Sequence, residues 1–161
     1  MRYMFYLFLS LSLLPAAQAV EASSKDVAGN PAVLISESSY TFEQTIENLR
    51  QAIRGNNFRM IRQQPWDFGL QLRSQVNDQG GDRLSILYFC NFDMVNQAIE
   101  LDHRVGQLLP CRVTVVERGG RVLVMSINPK PLGDLMSSPA LKTLCERLEV
   151  LYQNVIEEAL L

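Results

Sequence analysis

The sequence of 161 residues lacks the motifs by which most enzymes and cofactor-binding proteins are recognised. It has no G-x-S-x-G serine nucleophile, no P-loop, no Rossmann glycine pattern and no H-E-x-x-H zinc pair. It also has no C-x-x-C and no C-x-x-C-H, which excludes the usual covalent attachment of c-type haem. With none of these signatures present, the sequence favours a non-catalytic role.

Positive charge is scarce as well. The chain has 15 lysines and arginines against 17 aspartates and glutamates, a net charge of −2. A surface that binds nucleic acid needs a stripe of positive charge to neutralise phosphates. The composition therefore predicts that nucleic acid is not a partner.

The first 19 residues have the pattern of a secretory signal peptide. Arg2 supplies a positive charge, residues 4–14 form an apolar run, and Pro15 ends it. Ala17-Gln18-Ala19 then places small residues at a cleavage site. The run is shorter than the roughly 20 residues of a membrane span, although an uncleaved N-terminal anchor is the alternative. We expect cleavage after Ala19, a periplasmic or secreted protein, and no transmembrane span in the mature chain.

Composition divides the remainder into a linker and one domain. Residues 20–32 are small, polar and without periodicity, which indicates a flexible linker. Residues 33–161 have the length of one ordinary domain. We therefore predict a 1–19 signal peptide, a 20–32 linker and a single 33–161 domain.

Local patterns predict the elements of the first half of the domain. A strand at Val33–Tyr40 precedes a capping box, Thr41-x-x-Gln44, and a helix that ends at Gly55. Partial alternation predicts strands at 58–62 and 68–73, with a turn at Pro65-Trp66 between them. The run 84–90 is apolar on both faces and predicts a central strand.

The second half contains two helices and a hairpin. Asn91 or Asp93 is a suitable N-cap for a helix at 93–102. Gly119-Gly120 joins strands at 111–117 and 122–127 in a tight hairpin. Ser138 followed by a proline begins a final helix that runs nearly to the C-terminus. The order β-α-β-β-β-α-β-β-α predicts an α+β fold, an antiparallel sheet with helices packed on one face.

The three cysteines fall into two groups. Cys90 ends one predicted strand and Cys111 begins another, so a disulfide between them is one interpretation, and two separate buried thiols are the other. Such a bridge contributes roughly 3 kcal/mol in the chain-entropy account. Cys145 lies on the apolar stripe of the last helix and reads as a core residue.

The only histidine, His103, lies between the first two cysteines. Thiolate and imidazole ligands suit copper, zinc or haem iron, so Cys90, His103 and Cys111 form a candidate metal set. His103 also fits a solvent-facing cation at a helix C-terminus. A Cys111–His103 nucleophile with Asp102 as orienter is a further alternative, although adjacent residues on a helix end point in different directions.

The segment 90–112 is also a candidate ligand cleft, with Asn91, Phe92, His103 and Arg112 as binding residues. Arg112 occupies an otherwise apolar strand face with Thr114 and Val116, where a guanidinium calls for a carboxylate or an anionic ligand. The alternative is that Arg112 reaches water at the end of the sheet.

Several spaced residues give the chain a family resemblance that covers the whole predicted domain. It resembles the bacterial and archaeal domain of unknown function family 302. The residues concerned are Tyr40, Phe42, Thr45, Leu49, Ile53, Phe58, Asn91, Ala98, Asp102, Gly106, Leu109-Pro110-Cys111-Arg112-Val113 and Asn128-Pro129. The resemblance implies a compact α+β domain around an antiparallel sheet. It implies no shared activity and supplies no catalytic residues.

Three functions fit these observations. The first is an exported, non-catalytic binding domain for a small ligand, with its cleft near 90–112. The second is a redox, metal or haem protein that uses Cys90, His103 and Cys111. The third is a structural subunit whose partner is another envelope protein.

Overall fold

The computed structural model describes residues 32–65, 83–136 and 138–161. The predicted signal peptide, nearly all of the predicted linker and the predicted strand at 68–73 lie outside these residues. So does Trp66.

The described strands form one antiparallel sheet of five strands in the order β1-β5-β4-β3-β2. Each neighbour in this order runs antiparallel, and β4 is the central strand. The sheet with its helices confirms the predicted α+β class. The strands are β1 (Val33–Ser38), β2 (Arg59–Pro65), β3 (Arg83–Cys90), β4 (Cys111–Arg118) and β5 (Arg121–Ile127).

The described residues also form four α-helices and one 3-10 helix, which are α1 (Phe42–Gly55), α2 (Phe92–Leu101), the 3-10 helix (His103–Leu108), α3 (Pro129–Asp134) and α4 (Pro139–Leu160). The long helix α4 packs against both α1 and α3, and α2 also contacts it. Among these residues, no helix has the length and apolarity that a membrane crossing requires.

The capping signals read from the sequence are present at the helix starts. Gln44 N donates to Thr41 Oγ1 at 3.2 Å and Thr41 N donates to Gln44 Oε1 at 3.2 Å, which closes the predicted capping box. Asn91 and Ser138 cap α2 and α4. Side-chain oxygens thus satisfy amide groups that have no partner within the helix.

The Gly119-Gly120 hairpin is present as predicted and joins β4 to β5. Arg118 pairs with Arg121 and Val115 pairs with Val124. Gly119 has φ +58° and Gly120 has φ +76°, the left-handed values that a primed two-residue turn requires.

Two local predictions were wrong. Pro65 is the last residue of a continuous β2 rather than part of a turn, and a register irregularity between Met60 and Arg62 explains why alternation breaks there. The segment after β5 is not simply a strand end, because Asn128 caps a short helix, α3, that begins at Pro129. Asn128 followed by Pro129 is a helix-start signal, because a capping side chain precedes a proline at the first helical position.

The main core lies between the sheet and helices α1 and α4. Alternate residues of β3, β4 and β5 are buried there, including Leu87, Val113, Val115 and Val124. A smaller cluster lies apart from it, beneath α2 and the start of α4, and consists of Met94, Ala98, Val105, Leu141 and Leu144.

Candidate ligand pocket and dithiol site

An apolar pocket lies where the two hydrophobic clusters meet. Its cavity volume is about 90 Å³. It is bounded by α2 and the 3-10 helix, by α3 and α4, and by the start of β4. Its walls include Phe58, Asn91, Met94, Val95, Ala98, Val105, Leu108, Leu109, Pro110, Cys111, Arg112, Ile127, Pro129, Leu132, Met136, Leu141, Leu144, Cys145, Leu148 and Tyr152.

The pocket walls follow from helical periodicity. On α2, Met94, Val95 and Ala98 fall on one face, because positions three and four apart share a side of a helix. On α4, the same spacing places Leu141, Leu144, Leu148 and Tyr152 on one face of the helix. These two apolar faces form two sides of the pocket.

Cys90 and Cys111 lie side by side at the base of the pocket region. Phe89 pairs with Cys111 across β3 and β4, which brings the next residue, Cys90, beside the start of β4. Both side chains are buried, both are free thiols, and they hydrogen-bond to each other. Two adjacent thiols can bind a soft electrophile or give up two electrons to form a disulfide.

The contact shifts the pKa values of the two thiols in opposite directions. A hydrogen bond from Cys111 stabilises the Cys90 thiolate and lowers its pKa to about 6, against the opposing effect of burial. The same contact, together with burial, raises the pKa of Cys111. The pair therefore releases its first proton more easily than an isolated thiol and its second with more difficulty.

Tyr152 of α4 completes this cluster. Its side chain interacts with Cys111, which moderates the rise in the pKa of that thiol, and its ring packs on Phe58 and Phe89 at centroid distances of 6.1 and 5.5 Å. Burial, followed by the nearby Cys111, raises the pKa of Tyr152 well above its usual value, so it remains a donor. The side chain is only 5% exposed.

Cys145 is a wall of the pocket rather than part of the dithiol. It is half-buried on α4, and burial raises the pKa of its thiol. The helix α3 approaches it closely: a Cβ added at Gly133 would lie 2.9 Å from Cys145 Cβ and 3.1 Å from Lys142 Cα. Only glycine allows this approach.

The structure does not bring His103 to the two cysteines. His103 is exposed at the start of the 3-10 helix. Within the described ranges, no three His, Cys, Asp or Glu side chains are grouped to hold a metal ion. The described residues therefore do not assemble the predicted set of Cys90, His103 and Cys111.

Asp102 is engaged elsewhere, which leaves the Cys111–His103 dyad without its orienter. Arg104 Nη2 donates to Asp102 Oδ2 at 2.6 Å, and the backbone N of Arg104 donates to Asp102 Oδ1 at 2.9 Å. These hydrogen bonds from Arg104 lower the pKa of Asp102 to about 2. Asp102 is thus a helix cap held in an exposed ion pair.

The other predicted ligand-binding residues divide into two groups. Asn91 and Arg112 line the pocket. The Asn91 side chain also has structural partners: it accepts from Met94 N at 3.1 Å and donates to the Asn57 carbonyl at 3.3 Å. Phe92 does not line the pocket and is 50% exposed at the start of α2.

Sequence reasoning missed Tyr152 and α3 as parts of this region. The sequence pattern places Tyr152 on the apolar stripe of the last helix. Its hydroxyl was the available signal, because a buried tyrosine needs a hydrogen-bond partner. That partner lies on a distant strand, so its identity depends on how α4 packs on the sheet.

A five-stranded antiparallel sheet with helices on one face and an apolar pocket at one end defines a small α+β domain. The sequence pattern of the family described as Domain of unknown function DUF302 matches residues 34–159. The chain belongs to this family, which confirms the resemblance read from the sequence.

The fold is shared with a solved relative. The crystal structure of the uncharacterized conserved protein DUF302 from Bacillus stearothermophilus is similar at a TM-score of 0.68 and 22% identity, over 79% of this chain and 97% of that chain. At this identity the likeness establishes the fold alone. A comparison with curated proteins found no significant match.

Proposed function

We propose that the protein is an exported binding domain that holds a small, largely apolar ligand in the pocket between α2 and α4. The observation that carries this proposal is the pocket itself, whose walls are almost entirely apolar. A concave, mainly apolar site with a few polar groups is the usual form of a small-molecule site. No catalytic role is part of the proposal.

The affinity would come from removing apolar ligand surface from water. Each buried methylene contributes about 0.8 kcal/mol. A chain of several methylenes thus offsets the cost of immobilising a small molecule. The polar groups near the base, Asn91 and the Tyr152–Cys111 pair, are hydrogen-bonded within the protein, so they do not require a polar ligand.

The experiment measures binding of an uncharged fluorescent probe, N-phenylnaphthylamine. Ala98 is buried on the pocket wall, so Ala98→Phe should fill the cavity and abolish the rise in probe fluorescence. Ile99 is the next residue, is 41% exposed, and does not line the pocket. The matched control Ile99→Phe should bind the probe as the wild type does. Equal binding by both variants would contradict the proposal.

Export is the second part of the proposal and rests on the N-terminal sequence pattern. N-terminal sequencing of protein from its own host should begin at Val20. Retention of Met1 on protein in the cytoplasm would contradict it.

A second candidate function is thiol–disulfide exchange at Cys90 and Cys111. The observation that favours it is the contact between these two buried thiols. In oxidation by glutathione disulfide, the Cys90 thiolate attacks one sulfur and releases one glutathione thiolate. Cys111 then attacks the mixed disulfide at the Cys90 sulfur and releases the second, so that one S–S bond forms in the protein and one is reduced.

Counting thiols after equilibration in glutathione buffers tests the redox function. Denatured protein should carry three free thiols when reduced and one, Cys145, when oxidised. A Cys145→Ala variant should carry two free thiols when reduced and none when oxidised. Three thiols under every oxidising condition would exclude both the exchange activity and the predicted disulfide.

A further inference from the structure

The pocket carries one charged side chain among its described walls, Arg112. The other lining residues are apolar apart from the Asn91 amide, two thiols and the Tyr152 hydroxyl. Arg112 is exposed on β4, next to Cys111 at the base of the pocket. A single cation beside an apolar cavity is an amphipathic arrangement.

Arg112 has no carboxylate partner in the parts of the chain that the structure describes. Two other arginines of the sheet have such a partner: Arg83 pairs with Glu117 at 2.6 Å and Arg121 pairs with Glu37 at 2.6 Å. Among the described residues, the only side-chain hydrogen bond to Arg112 is received by its backbone carbonyl, from Ser126 Oγ at 3.2 Å. Its guanidinium donors therefore remain available to an added anion.

Arg112 and Tyr152 both line the pocket. Tyr152 has its pKa raised well above the usual value by burial and by Cys111, and the positive charge of Arg112 opposes that rise. Tyr152 is itself a wall of the pocket. The charge therefore acts on the wall against which a ligand would lie.

We propose that the pocket takes a single-chain amphiphile with an anionic head group, with its alkyl chain among the walls of α2 and α4 and its head group on Arg112. This inference rests on the proposed binding function and specifies its ligand class. A planar guanidinium presents paired donors that match the two oxygens of a carboxylate or a phosphate. The apolar interior excludes a fully polar anion, because such an anion gains nothing from the walls.

The probes are octanoate, octyl phosphate, octanol and acetate, each used to displace bound N-phenylnaphthylamine. The two octyl anions share a chain and a charge but differ in head group, so they distinguish a carboxylate ligand from a phosphate ligand. Octanol has the chain without the charge, and acetate has the charge without the chain. We expect displacement by at least one octyl anion at lower concentration than by octanol, and no displacement by acetate.

Arg112→Gln should weaken binding of the octyl anion about tenfold and leave octanol unchanged; tenfold corresponds to about 1.4 kcal/mol. Arg62→Gln is the matched control. Arg62 lies on the same sheet, does not line the pocket, and has its guanidinium carbon 4.6 Å from the Tyr88 ring centroid. The Arg62→Gln substitution removes the same charge without removing the proposed contact, so binding of the octyl anion should stay as in the wild type.

Two results would overturn the inference. If octanol displaces the probe as well as both octyl anions do, the pocket has no preference for a charge. If Arg112→Gln and Arg62→Gln weaken binding of the octyl anions equally, the loss comes from the protein's overall charge, and Arg112 is not the head-group contact. Failure of the probe to bind at all would instead remove the proposed binding function, and the ligand class with it.

Discussion

The side chain of Tyr152 on the long helix α4 interacts with the thiol of Cys111 on the central strand β4, where both residues line the pocket. The Tyr152 ring lies against Phe58 and Phe89 in the main core. One side chain therefore contacts the core, the dithiol and the pocket.

Replacing Tyr152 with Phe should lower the free energy of unfolding by about 1 kcal/mol, because we expect the hydroxyl to donate a hydrogen bond to Cys111 that phenylalanine cannot make, while the ring packing is kept. Denaturant titration measures the change. In a Cys111→Ala background the same substitution should cost much less, since the partner is already absent. An equal cost in both backgrounds would contradict the hydrogen bond.

The stability of the reduced protein should depend on pH through Cys90. Its folded pKa of about 6 lies below the ordinary value of 9.0, so this stabilisation is fully present above pH 9 and is lost as pH falls through 6. The free energy of unfolding should rise between pH 6 and 9, with a slope from this group of at most about 1.4 kcal/mol per pH unit.

Cys111→Ala is the comparison for this pH effect. It removes the hydrogen bond that lowers the pKa of Cys90, so the rise in stability between pH 6 and 9 should become smaller. Denaturant titrations of both reduced proteins at the two pH values give the difference. The same slope in wild type and variant would show that other groups cause it.

Adding a methyl group at Gly133 should destabilise the protein and disturb the pocket. The new Cβ would lie 2.9 Å from Cys145 Cβ and 3.1 Å from a backbone Cα of α4, so α3 must move away. Overpacking of this kind costs about 1–3 kcal/mol. Thermal unfolding of Gly133→Ala is compared with Gly106→Ala, where no atom lies within 4 Å of the added Cβ. Matching midpoints for the two variants would exclude the close approach.

The hairpin between β4 and β5 should depend on glycine at both turn positions. Gly119→Val or Gly120→Val forces a β-branched residue into positive φ, which costs about 1 kcal/mol or more. Gly120→Asn should cost less, because asparagine tolerates left-handed backbone. An unchanged unfolding midpoint for both valine variants would count against the primed turn.

Elements with strong local signals were predictable from the sequence. The capping box at Thr41, the Asn91 cap, the Gly119-Gly120 turn and the Pro139 helix start all depend on residues within a few positions of one another. Local hydrogen bonds and backbone preferences determine such features. The antiparallel sheet followed from the hairpin and the lack of βαβ alternation.

The site was predictable only in part. Asn91 and Arg112 line the pocket. Cys90 lies beside Cys111 because the end of β3 pairs with the start of β4. The exposure of His103 and the role of Tyr152 were not predictable. Both depend on how separate elements pack: His103 is exposed at the start of a 3-10 helix, and Tyr152 meets its partner on a distant strand.

The most direct test of pocket binding is an isotope-filtered nuclear Overhauser experiment on labelled protein with unlabelled octyl ligand, octanoate first and octanol if octanoate does not bind. We predict contacts from the alkyl chain to the methyl groups of Ala98, Leu141 and Leu144. No contact should appear to Val150, which is 52% exposed on α4 and does not line the pocket. Contacts from the alkyl chain to Val150, with none to Ala98, Leu141 or Leu144, would contradict binding in the pocket.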